Sequence, residues 1–229
     1  MLRPKKKISR RELKEDALVS TYVKVTTLYE QNKRNISIAL TVLVVAVFAV
    51  VIYLKNRADN NEKALTALGA IFESYDAGQF QTAVDGIPEK NIQGLKAIVD
   101  NYGNSKSGDL ARFYLASAYS QLGRYSEALR EFEDYSPSGE LLSVARLSGI
   151  GSCQEALGMF GEAASAFEKA ATQFPKDISA AENLNDAARD YARAGEKEKA
   201  IDIYKRIKKN YPTTAFARDA DRFIAQLSV

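Results

Sequence analysis

Polar and apolar positions divide the chain into three regimes. From Ile36 to Leu54, 19 residues pass without a charge, and 13 of them are Ile, Leu, Val or Phe. A helix of that length rises roughly 30 Å, the thickness of a bilayer's hydrocarbon. At about 0.3–0.6 kcal/mol per apolar residue, insertion is favoured by roughly 4–8 kcal/mol before Ser37, Thr41 and Tyr53 subtract from it. Residues 36–54 are therefore predicted to form a single transmembrane helix. A cleaved signal peptide would carry a short leader and a small-residue exit. Here the leader is 35 residues and the exit reads Tyr53-Leu54-Lys55-Asn56-Arg57. A buried core helix would show a polar face, and none crosses the run.

Residues 1–35 read as a basic tail with a juxtamembrane amphipathic helix. Met1 to Ile8 is basic and contains a proline, a composition expected to stay unfolded near anionic headgroups. Ser9-Arg10-Arg11-Glu12 matches a capping box and should start a helix. Along that helix Leu13, Ala17, Leu18, Tyr22, Val25 and Tyr29 recur mostly at three- and four-residue steps, making an apolar stripe. The stripe suits a helix lying on the lipid surface or a cytoplasmic docking helix for a membrane partner.

After Arg57 helical periodicity dominates, and the chain repeats itself. Gly123, Gly158 and Gly195 are each followed five residues later by Ala128, Ala163 and Ala200, and nine residues later by Phe132, Phe167 and Tyr204. The period is 35 and then 37 residues; seventeen residues after the glycine come Pro175 and Pro212, while the first unit has Glu140 and an earlier Pro137. The glycine ends one helix in a tight turn, the alanine lets the paired helix approach closely, and the aromatic fills the space between units. A recurrent unit of this length favours a stacked solenoid over a three- or four-helix bundle, and no sheet is expected.

These columns resemble the tetratricopeptide repeat (TPR), whose second helix carries A-x3-F and then P. The first-helix half fits less well. Its tryptophan position holds Arg112, Leu147 and Leu184, its L-G pair reads Leu115-Ala116, Ile150-Gly151 and Ala187-Ala188, and its tyrosine column is Tyr119, Gln154 and Tyr191. Upstream, Gly78, Phe80 and Ala83 suggest a degenerate fourth unit with helices near 61–77 and 94–102, and Phe216 to Leu227 reads as a capping helix. The fold expected is all-α: one transmembrane helix followed by a TPR-like solenoid over residues 55–229. Carrying repeat positions over puts Phe113, Ser117, Gln121, Ser152, Glu155, Asn185, Arg189 and Arg193 on the concave face, as a groove for a segment of another protein. Charge reversal at Arg189 and Arg193 is expected to weaken partner binding without unfolding the domain. Tyr119, Tyr125, Phe132, Phe160, Phe167, Tyr191 and Tyr204 are read as core. Asp202 and Arg206 are expected to pair across one helical turn.

Charge supplies an orientation. Residues 1–35 carry ten basic and four acidic side chains, and residues 55–229 hold the remaining 22 basic and 25 acidic. The positive-inside rule puts the N-terminus in the cytoplasm and the repeats beyond the membrane, which in a bacterium is the periplasm. The mildly acidic repeat region argues against nucleic acid as its partner. Histidine is absent and Cys153 is the one cysteine, so the chain has no histidine base or ligand and no internal disulfide. P-loop, dinucleotide, nucleophile-elbow and metal-ligand spacings are also missing, so no catalytic residue, metal, cofactor or small-molecule substrate is assigned.

The order of basic segment, single anchor and helical repeats, with YKRIKKNYP and YGNSKSGDLARFYLASAYSQLG inside it, resembles the ancillary Sec-translocon subunit family of Bacteroidetes- or Chlorobi-type bacteria. That resemblance implies a non-catalytic adaptor in the bacterial inner membrane. Its anchor would meet a translocation channel, and its periplasmic solenoid would meet chaperones or emerging chains. An accessory, structural or assembly subunit of a respiratory or photosynthetic complex remains open on these residues, as does a periplasmic enzyme of unseen type.

Overall fold

The computed structural model describes residues 10–228, with side chains from Val19 onward. The chain forms two units, Met1–Asn56 and Arg57–Val229. Helix α1 is Arg10–Asp76. The predicted tail Met1–Ile8, the cap Ser9 and the side chains of Leu13, Ala17 and Leu18 lie outside what is described. In the first unit, Ile36 to Leu54 is helical throughout and exposed at every position. Among the described residues one helix, α1, is long and apolar enough to cross a membrane. The Thr41 hydroxyl donates to the Ser37 carbonyl at 2.9 Å, which satisfies this polar group inside the helix as hydrocarbon surroundings would require. Tyr22, Val25 and Tyr29 of the predicted stripe are exposed.

The second unit takes up the end of α1 and continues through helices α2 (Phe80–Asp85), α3 (Leu95–Tyr102), α4 (Lys106–Gln121) and α5 (Tyr125–Asp134). It is completed by α6 (Glu140–Ala156), α7 (Phe160–Gln173), α8 (Ala180–Arg193), α9 (Lys197–Asn210) and α10 (Ala215–Leu227). Each repeat turns at the glycine that its spacing singled out. Gly78, Gly123, Gly158 and Gly195 all have φ between 72° and 83°, the left-handed region where a Cβ is penalised. Each turn closes the same way. Arg124 N donates to Tyr119 O and Gly123 N to Ser120 O, and the pair recurs as Gln79 to Ser74 with Gly78 to Tyr75, Met159 to Gln154 with Gly158 to Glu155, and Glu196 to Tyr191 with Gly195 to Ala192. This is the Schellman arrangement, which satisfies the last carbonyls of one helix while reversing the chain. The degenerate unit at Gly78 shares this turn and the buried alanine.

The alanines five residues on, Ala83, Ala128, Ala163 and Ala200, are fully buried, and Phe132, Phe167 and Tyr204 are at most 4% exposed. The aromatic rings need room on the first helix of the repeat. A Cβ at Gly151 would lie 2.9 Å from three atoms of the Phe167 ring, and one at Gly149 would lie 2.6–2.9 Å from the Phe132 ring. Gly151, the small residue of its L-G pair, is thus the seat of its own repeat's aromatic, while Gly149 seats the aromatic of the preceding one. Pro175 and Pro212 follow the ends of α7 and α9, where a helix cannot continue through them.

Two expectations are corrected. A small sheet does form: Gly86–Ile87 pairs antiparallel with Ile92–Gln93 across a 3-10 turn at Pro88–Lys90. Gly86, at φ 88°, breaks α2 after two turns, and the hairpin carries the chain to α3. A Cβ at Gly94 would fall 2.2 Å from the Val84 carbonyl oxygen, so the hairpin closes over backbone with no space for a side chain. The second correction concerns Arg206. Rather than pairing with Asp202, it turns onto α7, where it engages Glu168 and donates to Thr172 Oγ1 at 3.2 Å. Asp202 meets Lys205 instead, at 3.6 Å.

Candidate functional site

Successive first helices of the repeats are linked side to side, and these links define the candidate face. At its N-terminal end α1 and α4 share an aromatic set. Tyr75 and Tyr114 lie 5.1 Å apart and Phe72 and Tyr114 5.3 Å apart, both edge to face, and the Tyr75 hydroxyl is hydrogen-bonded with Ser117. Burial raises the Tyr75 hydroxyl pKa against that hydrogen bond, which favours the neutral phenol. Phe72 keeps 38% of its surface exposed, leaving apolar area on this face.

Phe113 does not stand in the open. Its ring lies 5.5–5.8 Å from Tyr114, Phe132 and Tyr135, which ties α4 to α5. Ser117 donates to the Phe113 carbonyl at 3.0 Å. Gln121 and Ser152 are exposed and Asn185 is half-buried. The structure brings three of the predicted residues into direct contact: Glu155 of α6 accepts from Arg189 at 2.9 Å and from Arg193 at 2.5 Å, both on α8. Arg189 also pairs with Asp186 at 2.9 Å and Arg193 with Asp190 at 3.4 Å.

Asp190 had no signature in the sequence, since a single acid on a charged helix reads as surface. It is fully buried, and its Oδ2 has no hydrogen-bond partner. Burial, then the neighbouring Glu155 charge, push its carboxyl up to about 6 against the pull of Arg189 and Arg193. The cluster holds three carboxylates and two guanidiniums, so each cation is paired within the unit, although Arg189 Nε has no hydrogen-bond partner. This revises the expectation about charge reversal. Arg189 and Arg193 bind α6 to α8, and reversing them would face Glu155, Asp186 and Asp190 with like charge, perturbing the fold as well as any partner.

The same balance yields a prediction. Because the folded carboxyl titrates above its ordinary 3.8, the folded state keeps a proton that the unfolded chain has lost. Stability from this group therefore falls as pH rises from about 4 to 6, by about 2–3 kcal/mol in all. Asp190→Asn removes the excess acid and should be more stable than the parent chain at pH 7.5, with the advantage shrinking toward zero by pH 4. Thermal unfolding followed by circular dichroism across that range checks it. An advantage that is constant or grows on acidification would contradict the assignment.

The remaining reactive group is muted. Cys153 is fully buried, and burial lifts its thiol to about 11 despite a hydrogen bond with Ser120 of α4. At neutral pH it is a small apolar side chain between α4 and α6. Away from the candidate face, Glu168 of α7 joins α8 and α9 by accepting from the Tyr191 hydroxyl at 3.1 Å and engaging Arg206. These contacts stack helices rather than form a reaction centre.

Residues 147–177 and 186–214 match the family model of the tetratricopeptide repeat, covering α6 to α7 and α8 to α9. The match leaves out the α4–α5 pair, whose second helix has ten residues and no late proline, and the unit at Gly78, whose second helix has six. The crystal structure of nearly identical TPR-like repeats, described as those of a kinesin light chain of Podosopora anserina, is similar to this chain with a TM-score of 0.52 at 16% identity. That similarity covers 71% of this chain and 83% of the other, and a variant of the same protein gives the same values. No curated protein matches the chain. With the Schellman turns, the buried alanine column and the seated aromatics, these matches show the fold to be all-α, a long apolar N-terminal helix followed by TPR-like helical repeats.

Proposed function

We propose that this protein is a membrane-anchored, non-catalytic adaptor that holds a protein partner on the concave face of its repeats. The observation that carries the reading is the order of parts: an exposed apolar helix of membrane length and then TPR-like repeats, a fold suited to binding protein segments. The ten basic residues before Ile36 favour a cytoplasmic N-terminus, with the repeats in the periplasm of a bacterial inner membrane. Domain limits of 1–35, 36–54 and 55–229 belong to this reading.

The face is composed of an aromatic end, Phe72, Tyr75 and Tyr114, and a polar end, Gln121, Ser152, Glu155, Asn185, Arg189 and Arg193. Since the two arginines are neutralised within the unit, an acidic tail gains little there, and the apolar end supports an extended or helical segment with apolar anchors. Within this reading the partner is a protein translocation channel with its periplasmic chaperones or emerging chains. Extraction of native membranes in mild detergent, purification through a C-terminal tag and stoichiometric mass spectrometry tests it. Channel subunits with chaperones below one-to-one support the adaptor. A respiratory or photosynthetic assembly at fixed stoichiometry would replace it with a structural subunit.

A further inference from the structure

The rim of the repeat unit where the first helices begin displays apolar side chains that the fold does not use. We propose that this rim lies against the bilayer surface and sets Leu141 and Ile178 into the headgroup boundary. The inference rests on reading Ile36–Leu54 as the anchor.

Chain connectivity supplies the occupant. Arg57, the first residue of the unit, shares a cleft with Ser105, Lys106, Tyr135, Ser138 and Leu142, and nearby the Asn61 side chain accepts from the Ser107 backbone at 2.8 Å. The chain therefore enters the unit at the loops that lead into α4 and α6. Leu54 and Arg57 are three residues apart and lie at most about 11 Å from each other whatever path joins them. If the span ends in hydrocarbon at Leu54, the rim around Arg57 is within reach of the headgroups.

What the rim displays fits that surface. Because α7 runs back between α6 and α8, both helices start on the same rim. There Leu141 is 73% exposed and Ile178, in the loop before α8, is 99% exposed. At the opposite rim, where the Schellman turns lie, Leu157 and Met159 are only 39% and 38% exposed. Arg57, Lys106 and Lys176 bring positive charge to the entry rim. Two of its acids are held by local hydrogen bonds: Asp109 accepts from the Ser136 backbone at 3.2 Å, and Asp177 accepts from the Ser179 backbone and hydroxyl at 2.8 and 2.6 Å. Glu140, Glu182 in the first turn of α8, and Asp59 and Glu62 beside Arg57 are exposed acids, so the apolar side chains rather than net charge carry the contact. Exposed aliphatic side chains with Arg57, Lys106 and Lys176 nearby can enter the headgroup boundary of a lipid surface.

The chain contains no tryptophan, so an introduced one reports alone. Four full-length variants, Phe48→Trp, Leu141→Trp, Ile178→Trp and Met159→Trp, are placed in vesicles of phosphatidylcholine and phosphatidylglycerol carrying brominated acyl chains. The three positions in the repeat unit are open enough to take an indole, and circular dichroism confirms the fold. The proposal expects strong quenching at Phe48→Trp, and at Leu141→Trp and Ile178→Trp a blue shift with quenching about twofold that of Met159→Trp. Quenching at Phe48→Trp with no excess at the rim positions overturns the rim contact and leaves the anchor standing. Absence of quenching at Phe48→Trp overturns the anchor, and the rim contact with it.

Discussion

Gly108→Ala is expected to destabilise the repeat unit by about 2–3 kcal/mol. A Cβ at that position would lie 2.0 Å from the Tyr102 carbonyl oxygen, 2.4 Å from its carbon and 3.0 Å from Gly103 N. These are backbone atoms, and they are pinned. Gly103 N donates to Val99 O at 2.9 Å, Ser105 N and Oγ both donate to Tyr102 O at 2.8 Å, and Ser105 Oγ accepts the Gly108 amide at 3.1 Å. The N-cap of α4 is thus built on the last turn of α3, and an added methyl has to part the helices. Gly69→Ala is the control: nothing lies within 4 Å of its Cβ, so the exposed helical site should gain about 0.5–1 kcal/mol. Thermal unfolding of the two variants with the parent chain separates the effects. An unchanged midpoint for Gly108→Ala would mean that α3 and α4 do not approach this closely.

The second large effect is at the junction of α5 and α6. Phe132→Ala should cost about 3–5 kcal/mol, because a ring only 4% exposed leaves a cavity that its neighbours cannot close. Gly149→Ala should cost about 1–2 kcal/mol on its own, since its methyl would press on the same ring at 2.6 Å. In the Phe132→Ala background the glycine substitution loses its obstacle and restores a helix former. The double-mutant cycle should therefore show a coupling of about 1 kcal/mol or more, with the double variant more stable than the sum of the singles. Additive effects would remove the ring from over Gly149.

These two sites mark what the sequence could and could not disclose. Gly123, Gly158 and Gly195 stood out because a left-handed turn is a local demand with a fixed distance to the buried alanine, and both recur with the period. Gly151 could be placed by the same alignment. Gly108 and Gly149 could not: their reason is a backbone or ring brought up by another helix, and glycine inside a helix reads only as a propensity cost. The β-hairpin at Gly86–Gln93 escaped for a similar reason, since two-residue strands carry no alternation to detect.

The candidate face was legible as a set of positions but not as a set of roles. Repeat spacing selected Glu155, Arg189 and Arg193, and the structure joins them, yet as ion pairs between α6 and α8 that spend their charge inside the unit. Phe113 was selected as lining; it is half-buried and also packs against Tyr114, Phe132 and Tyr135. Phe72, Tyr75 and Tyr114 were missed because α1 and α4 become neighbours only through the stacking of the degenerate unit. Asp190 was invisible until its burial was known.

The central claim, an anchored adaptor that holds a protein on its concave face, is tested most directly by repeating the mild-detergent purification with Gln121→Arg and Ser152→Arg. Both side chains are exposed, belong to the proposed face and carry none of the ion pairs described above. The account predicts a partner that co-purifies with the parent chain and is lost from the double variant, while the helical circular dichroism and the thermal midpoint stay unchanged. Full retention of the partner by a folded double variant would contradict it.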